Sequence, residues 1–236
     1  DDCPPEYLSY QIISDAINLG IKKYDTADAY GSGTCNELLN KCLSNLNTQI
    51  DIQSKVGYKW ISANKAILDL STVHLTKTLR QSFKLLGNSL RSIMLHDLTG
   101  DVETDINAIK FIHKYCIENI SHPIKLGISN TTPILLDLSL SIGLPISFIQ
   151  EEFNLLFASK LPLLIKAKSM GISTQIYSPL SRGLLSGKYD PNNFPEFHPS
   201  DNRHSYFSSI TKKNIQTYYN LLKISFDSGL SLLQLS

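Results

Sequence analysis

Short apolar runs in this chain break off at polar side chains that are able to do chemistry. The runs cover residues 21–25, 50–56, 90–96, 123–128, 145–150 and 172–177. They end at or beside Asp25, Lys55, His96, Ser129 with Asn130, Gln150 and Tyr177. Each run has strand length, and each gap between runs has helix length. Apolar positions spaced three and four apart predict helices over residues 5–19, 35–46, 71–86, 101–119, 132–143 and 159–170. Their ends carry the expected punctuation. Pro4 and Pro5 open the first, Gly20 closes it, Ser71 caps the third, Gly87 ends it, and Thr132-Pro133 opens the fifth. Another helix is expected over residues 211–227, and after Gly229 the chain starts one more. Residues 57–70 and 178–209 read as long loops.

Six strands alternating with helices predict an α/β protein with a parallel sheet. In a β/α barrel, catalytic groups sit at the C-terminal ends of successive strands, where the polar endings fall here. A doubly wound open sheet is the rival arrangement. It calls for a glycine-rich phosphate loop after an early strand, and GxGxxG occurs nowhere in the chain.

Composition narrows the class without choosing a chemistry. The chain has 236 residues, of which 42% are hydrophobic and 18% charged, as expected of a globular, soluble domain. A net charge of +1 with no long single-sign run gives no bulk attraction to nucleic acid or an anionic membrane. None of the four cysteines, Cys3, Cys35, Cys42 and Cys116, has CxxC spacing. Reduced thiols in a cytoplasmic protein are therefore expected, and no metal site. No apolar stretch reaches transmembrane length, and DDCPPEYLSY is no signal peptide.

The string DTADAYGSGTCNELLNKCL resembles the signature of the aldo-keto reductases. The strings SKVGY, LHD, GISN, QEEFNLL and YSPLSRGLLSGKY follow in the same order and are similar to that family's motifs. The resemblance runs through nearly the whole chain. It implies a (β/α)8 TIM barrel forming one domain over residues 1–236, and NADPH bound without a dinucleotide fold. It also implies hydride transfer to or from a carbonyl, giving an alcohol from an aldehyde or ketone. The six strands correspond to the family's second to seventh. The first strand and its N-terminal hairpin are expected to precede Asp1, and the eighth strand to follow Ser236.

The resemblance maps Asp25, Tyr30, Lys55 and His96 onto the family's catalytic tetrad without substitution. A carbonyl that receives hydride becomes an alkoxide and needs a proton as charge develops. Tyr30 is the expected general acid. A phenol gives up its proton more readily beside an ammonium that stabilises the phenolate, and Lys55 is placed to be that ammonium. Asp25 can hold Lys55 by a charge-assisted hydrogen bond, and His96 can orient the substrate oxygen. Ser129, Asn130 and Gln150 carry the donors and acceptors a nicotinamide carboxamide needs. Tyr177 would stack on the nicotinamide ring.

The loop of residues 178–188 would wrap the pyrophosphate. Ser178, Leu180, Ser181, Arg182, Gly183 and Lys188 are its candidate contacts, and Ser181 stands where many relatives carry Gly. Tyr58 and Trp60 are candidate walls for a bulky or aromatic carbonyl substrate. A second functional class remains open. Channel β subunits share this fold and tetrad yet act mainly through a partner. An inactive truncated homologue is a third possibility.

Overall fold

The structure is a computed structural model that describes residues 5–45, 50–62, 65–190, 196–199 and 201–236. It divides into two compact units, residues 1–150 and 151–236. All six strands expected from the apolar runs form.

The first unit runs α1 (Glu6–Asn18), β1 (Lys23–Asp25), a 3-10 turn (Tyr30–Gly33), α2 (Cys35–Asn45), β2 (Asp51–Val56), β3 (Tyr58–Ser62), β4 (Lys65–Leu68) and α3 (Thr72–Leu86). It continues with β5 (Leu90–Leu95), α4 (Val102–Asn119), β6 (Lys125–Ser129), α5 (Pro133–Ser141) and β7 (Ile146–Glu152), whose last two residues begin the second unit. Strands β1, β2, β5, β6 and β7 lie side by side in that order, every pair parallel. This is the parallel α/β arrangement the strand–helix alternation predicts.

The local chemistry explains the boundaries. The side chains of Ser71, Asp101 and Thr132 accept from the backbone N–H groups of His74, Thr104 and Leu135, so α3, α4 and α5 each start on a capped end. Strand residues Ile52, Val56, Ile93, Leu95, Ile128 and Ile149 are all but fully buried. Each such aliphatic side chain contributes about 1.5–3 kcal/mol by leaving water. At Gly127 in β6, a Cβ would stand 2.3 Å from the Phe148 ring of β7, its register partner, so the absent side chain makes room for that ring.

Two expectations need correction here. Residues 57–70 are not a plain loop, because β3 and β4 pair as an antiparallel hairpin. YKWIS carries strand-favouring Tyr, Trp and Ile, but KAIL has only Ile, and both runs are too short to mark strands by their pattern. Helix α1 forms as its spacing predicts, yet it buries no residue, and Tyr7 and Ile12 are 72% and 57% exposed. Pro4 and Leu46, expected at the ends of the first two helices, lie outside the described residues.

The second unit contains α6 (Leu161–Ser169), β8 (Ser173–Tyr177), a 3-10 segment (Ser181–Ser186), α7 (Asn202–Ser208), α8 (Lys212–Ser228) and α9 (Leu232–Leu235). Leu156, Leu184, Leu185, Tyr218 and Leu232 form its buried cluster. Tyr218 also donates to the Tyr189 carbonyl, so this deeply placed phenol is satisfied. The expected loop at 178–209 thus includes the 3-10 segment and α7, which Asp201 caps. Helix α8 opens on a reciprocal Thr211–Asn214 capping box. No described helix is long and apolar enough to cross a membrane.

Candidate active site

Parallel pairing decides which side chains meet at the C-terminal edge of the first unit's sheet. Asp25 is in register with Gln53, and side chains two residues apart share a face. Asp25, Gln53 and Lys55 therefore project to one side. Lys55 pairs with Met94, so His96, two residues further on, projects to the same side. The His96 N–H donates to the Val56 carbonyl at 2.9 Å, which fixes the backbone just past β5. The Asp28 N–H donates to the Lys55 carbonyl at 3.0 Å and does the same past β1, two residues before Tyr30.

Lys55 is 1% exposed. A buried ammonium must find acceptors for its protons, and this one finds three. It donates to Asp25 Oδ2 at 2.5 Å, to Tyr30 Oη at 3.1 Å and to the Thr26 carbonyl at 3.3 Å. Gln53 Nε2 donates to the other Asp25 oxygen at 2.9 Å. The Tyr30 oxygen accepts from Lys55, so its own proton is available to a further acceptor. Tyr30 remains 40% exposed, and the Lys55 charge also lies 4.8 Å from its ring centre.

His96 sits between two tyrosines. Its ring meets Tyr30 edge-on at 5.6 Å and Tyr58 edge-on at 4.9 Å. Burial, then the neighbouring Lys55 charge, push its pKa down to about 4, so the imidazole is neutral near pH 7. Its Nδ1 is buried without a partner. An unpaired acceptor there costs less than an unpaired N–H, which favours the proton on Nε2.

The three residues expected to hold a carboxamide are neighbours. Ser129 ends β6 in register with Gln150 of β7, and both are buried. The Asn130 N–H donates to the Gln150 carbonyl at 3.0 Å. Asn130 takes a left-handed backbone, φ 54°, which asparagine tolerates better than most residues. Its Nδ2 donates to Asp97 Oδ1 at 3.5 Å.

In the second unit Tyr177 ends β8, and the chain then turns sharply. Ser178, Ser181 and Arg182 have φ of 54°, 51° and 53°, and Gly183 has 94°. Three non-glycine residues in the left-handed region within five positions store local strain. Ser181 is fully buried, and its hydroxyl is hydrogen-bonded to the Tyr206 hydroxyl. The Arg182 guanidinium lies 4.5 Å from the centre of the same Tyr206 ring. Leu180 leads into the 3-10 segment, its carbonyl accepting from Gly183 and Leu185, while Lys188 lies exposed over the Tyr189 ring.

Two features escaped the sequence reading. Asp97 accepts from the Tyr58 hydroxyl at 3.0 Å and from the Leu98 N–H at 2.9 Å as well as from Asn130. Asp28 has both carboxyl oxygens buried without a closely placed partner. Burial pushes it up to about 7, against the opposing pull of the Gly57 and Ala29 N–H groups. A cavity of about 500 Å³ is lined by Asp28, Glu37, Tyr58, Trp60, His74 and Lys77. The expected aromatic walls do line a cavity, but none of Asp25, Tyr30, Lys55 or His96 borders it. The Trp60 indole donates to the Ala29 carbonyl at 3.0 Å, next to Tyr30.

Among the described residues no three His, Cys, Asp or Glu side chains are grouped to hold a metal. Cys35, Cys42 and Cys116 are in no disulfide, and Cys3 lies outside the described residues.

The model of the aldo/keto reductase family matches residues 4–236. Over 98% of the chain, it is 24% identical to the NADP(+)-type aldo-keto reductase yakc of Schizosaccharomyces pombe, covering 69% of that protein. Over 78% of the chain, it is 26% identical to aldo-keto reductase YhdN of Bacillus subtilis, covering 55% of that protein. The structure of glycerol dehydrogenase AKR11B4 from Gluconobacter oxydans superposes with a TM-score of 0.79 at 23% identity. That match covers 98% of this chain and 72% of the other. The chain thus spans from 55% to 72% of the length of these three proteins.

Proposed function

The chain belongs to the aldo/keto reductase family, and on that premise we propose that it reduces an aldehyde or ketone to an alcohol with NADPH. The observation that carries the reading is the Lys55 ammonium, buried and hydrogen-bonded at once to the Asp25 carboxylate and the Tyr30 phenol. A scaffold rarely buries a charged lysine against a half-exposed phenol without a use for the phenolate.

Ser129, Asn130 and Gln150 offer a hydroxyl and two amides on adjacent strand ends, a donor and acceptor set that fits a nicotinamide carboxamide. Tyr177 is the stacking surface proposed for the ring. In the second unit, the backbone from Ser178 to Gly183 and the cations Arg182 and Lys188 suit a pyrophosphate, with Leu180 shaping the turn. Ser181 contributes through its backbone, since Tyr206 engages its hydroxyl. When bound, NADPH supplies the hydride.

The residues of the first unit handle the proton. Neutral His96 donates a hydrogen bond to the carbonyl oxygen and orients it, without competing as the acid. As the carbonyl carbon gains hydride, Tyr30 gives its proton to the oxygen, and the alcohol leaves with both. The phenolate that remains is stabilised by Lys55, whose charge Asp25 balances. Tyr30 then regains a proton from water through its exposed side.

The test is a kinetic assay of the complete protein with NADPH and simple aromatic aldehydes. Aldehyde-dependent oxidation of NADPH is expected. Tight NADPH binding with no turnover on any carbonyl offered contradicts the reading.

A further inference from the structure

We propose that Asp97 is a positioning residue that fixes two parts of the reaction centre relative to each other. One is the imidazole that orients the carbonyl, and the other is the amide that holds the nicotinamide. The inference rests on the function proposed above and adds a residue to it.

Asp97 is the node of a small polar network. On one side Oδ2 accepts from the Tyr58 hydroxyl at 3.0 Å. The Tyr58 ring in turn packs edge-on against His96 at 4.9 Å, and the Tyr58 carbonyl meets His74 Nε2 at 2.9 Å. Tyr58 is thus held at its backbone, its ring and its hydroxyl. On the other side Oδ1 of Asp97 accepts from the Leu98 N–H at 2.9 Å and from Asn130 Nδ2 at 3.5 Å. The chain of contacts runs from His96 through Tyr58 and Asp97 to Asn130, and it joins β3, the turn after β5 and the end of β6.

His96 and Asn130 belong to different strand ends, one just past β5 and the other just past β6. A carbonyl carbon and a nicotinamide must meet at about 3–3.5 Å with aligned orbitals, so small shifts between their holders are costly. A carboxylate suits this node because it accepts on both oxygens while its neighbours all donate. Glutamate at this place would reach too far, and asparagine would lose the charge and give up one acceptor oxygen, its amide NH2 facing either the Tyr58 hydroxyl or the Leu98 and Asn130 donors.

Nicotinamide has two faces, and a carboxamide held at one place presents only one of them. Loosening Asn130 therefore has a signature that general loss of stability lacks. The assay uses the complete protein, benzaldehyde, and NADPH deuterated at C4 on one face or the other. The wild type is expected to transfer hydrogen from one face only. Asp97→Ala is expected to lose about tenfold or more in kcat, the scale of a lost charge-assisted bond, and to transfer measurably from the second face. Tyr58→Phe, which removes one bond and keeps the ring, is expected to lower kcat less and to keep face selectivity, because Asp97 still holds Asn130.

Asp97→Ala with a native circular dichroism spectrum, unchanged kcat and full face selectivity overturns the proposal. If that variant does not fold, Asp97→Asn is judged by the same two readouts. A wild type that consumes no NADPH overturns the parent function, and this inference with it. A wild type that turns over beside an indifferent Asp97 variant overturns the inference alone.

Discussion

The Lys55 ammonium donates to the Tyr30 hydroxyl across 3.1 Å, from a position that is 1% exposed to one that is 40% exposed. A charge held in the protein thus acts on a proton held at its surface. The direction of that bond matters, because the phenol oxygen is the acceptor and its own proton stays available. Replacing Lys55 with Met should remove the charge and keep much of the volume. Turnover is expected to fall by about 100-fold or more, the usual scale for disabling a general acid. A fluorescence titration should show NADPH affinity nearly unchanged, because Lys55 is not among the residues proposed to bind it.

Asp25→Asn leaves the ammonium in place and removes its countercharge. The lost partner is worth about 1–2 kcal/mol, discounted because the Asp25 side chain is 42% exposed and partly screened. Chemical denaturation should report that loss. Turnover should fall as well, because the ammonium is no longer pinned beside Tyr30.

Six strands and most helices were legible because β2, β5, β6 and β7 read as apolar runs and the caps at Ser71, Asp101 and Thr132 are local signals, whereas β3, β4 and α7 were not. Asp25, Lys55 and His96 were legible because each closes such a run. Asp97 was not, since its role depends on Tyr58 and Asn130, 39 and 33 residues away. Nothing in a local window marks such a node. The engagement of Ser181 by Tyr206, 25 residues later, was hidden for the same reason. The exposure of α1 is equally invisible to periodicity, which reports that a face is apolar but not what covers it.

His96 and Asp28 impose opposite pH dependences on stability. His96 is pushed from 6.5 down to about 4, so between those values the unfolded chain binds its proton and the native state does not. Stability from this group is present above pH 6.5 and is lost as pH falls toward 4. Asp28 is raised from 3.8 to about 7, so the native state holds the extra proton, and stability is lost as pH rises through that window. Each contributes a slope of at most about 1.4 kcal/mol per pH unit, and between pH 4 and 6.5 the two oppose. Denaturation across that range should show a shallow dependence on these groups in the wild type. Asp28→Asn should lose stability on acidification, and His96→Asn should gain it.

Gly127→Ala places a methyl group 2.3 Å from the Phe148 ring. The strand must shift or the ring must move, at a cost of roughly 1–3 kcal/mol. A thermal or denaturant melt should show that loss. The double variant with Phe148→Leu should recover part of it, because the smaller side chain vacates the contested space.

The role of Tyr30 as proton donor is tested most directly by single-turnover hydride transfer in Tyr30→Phe, with NADPH affinity measured on the same sample. The phenyl ring still packs edge-on against His96, so the variant removes the hydroxyl and little else. The expected result is a transfer rate lower by about 100-fold or more, with cofactor binding nearly intact. A Tyr30→Phe protein that reduces the aldehyde at the wild-type rate would contradict the account.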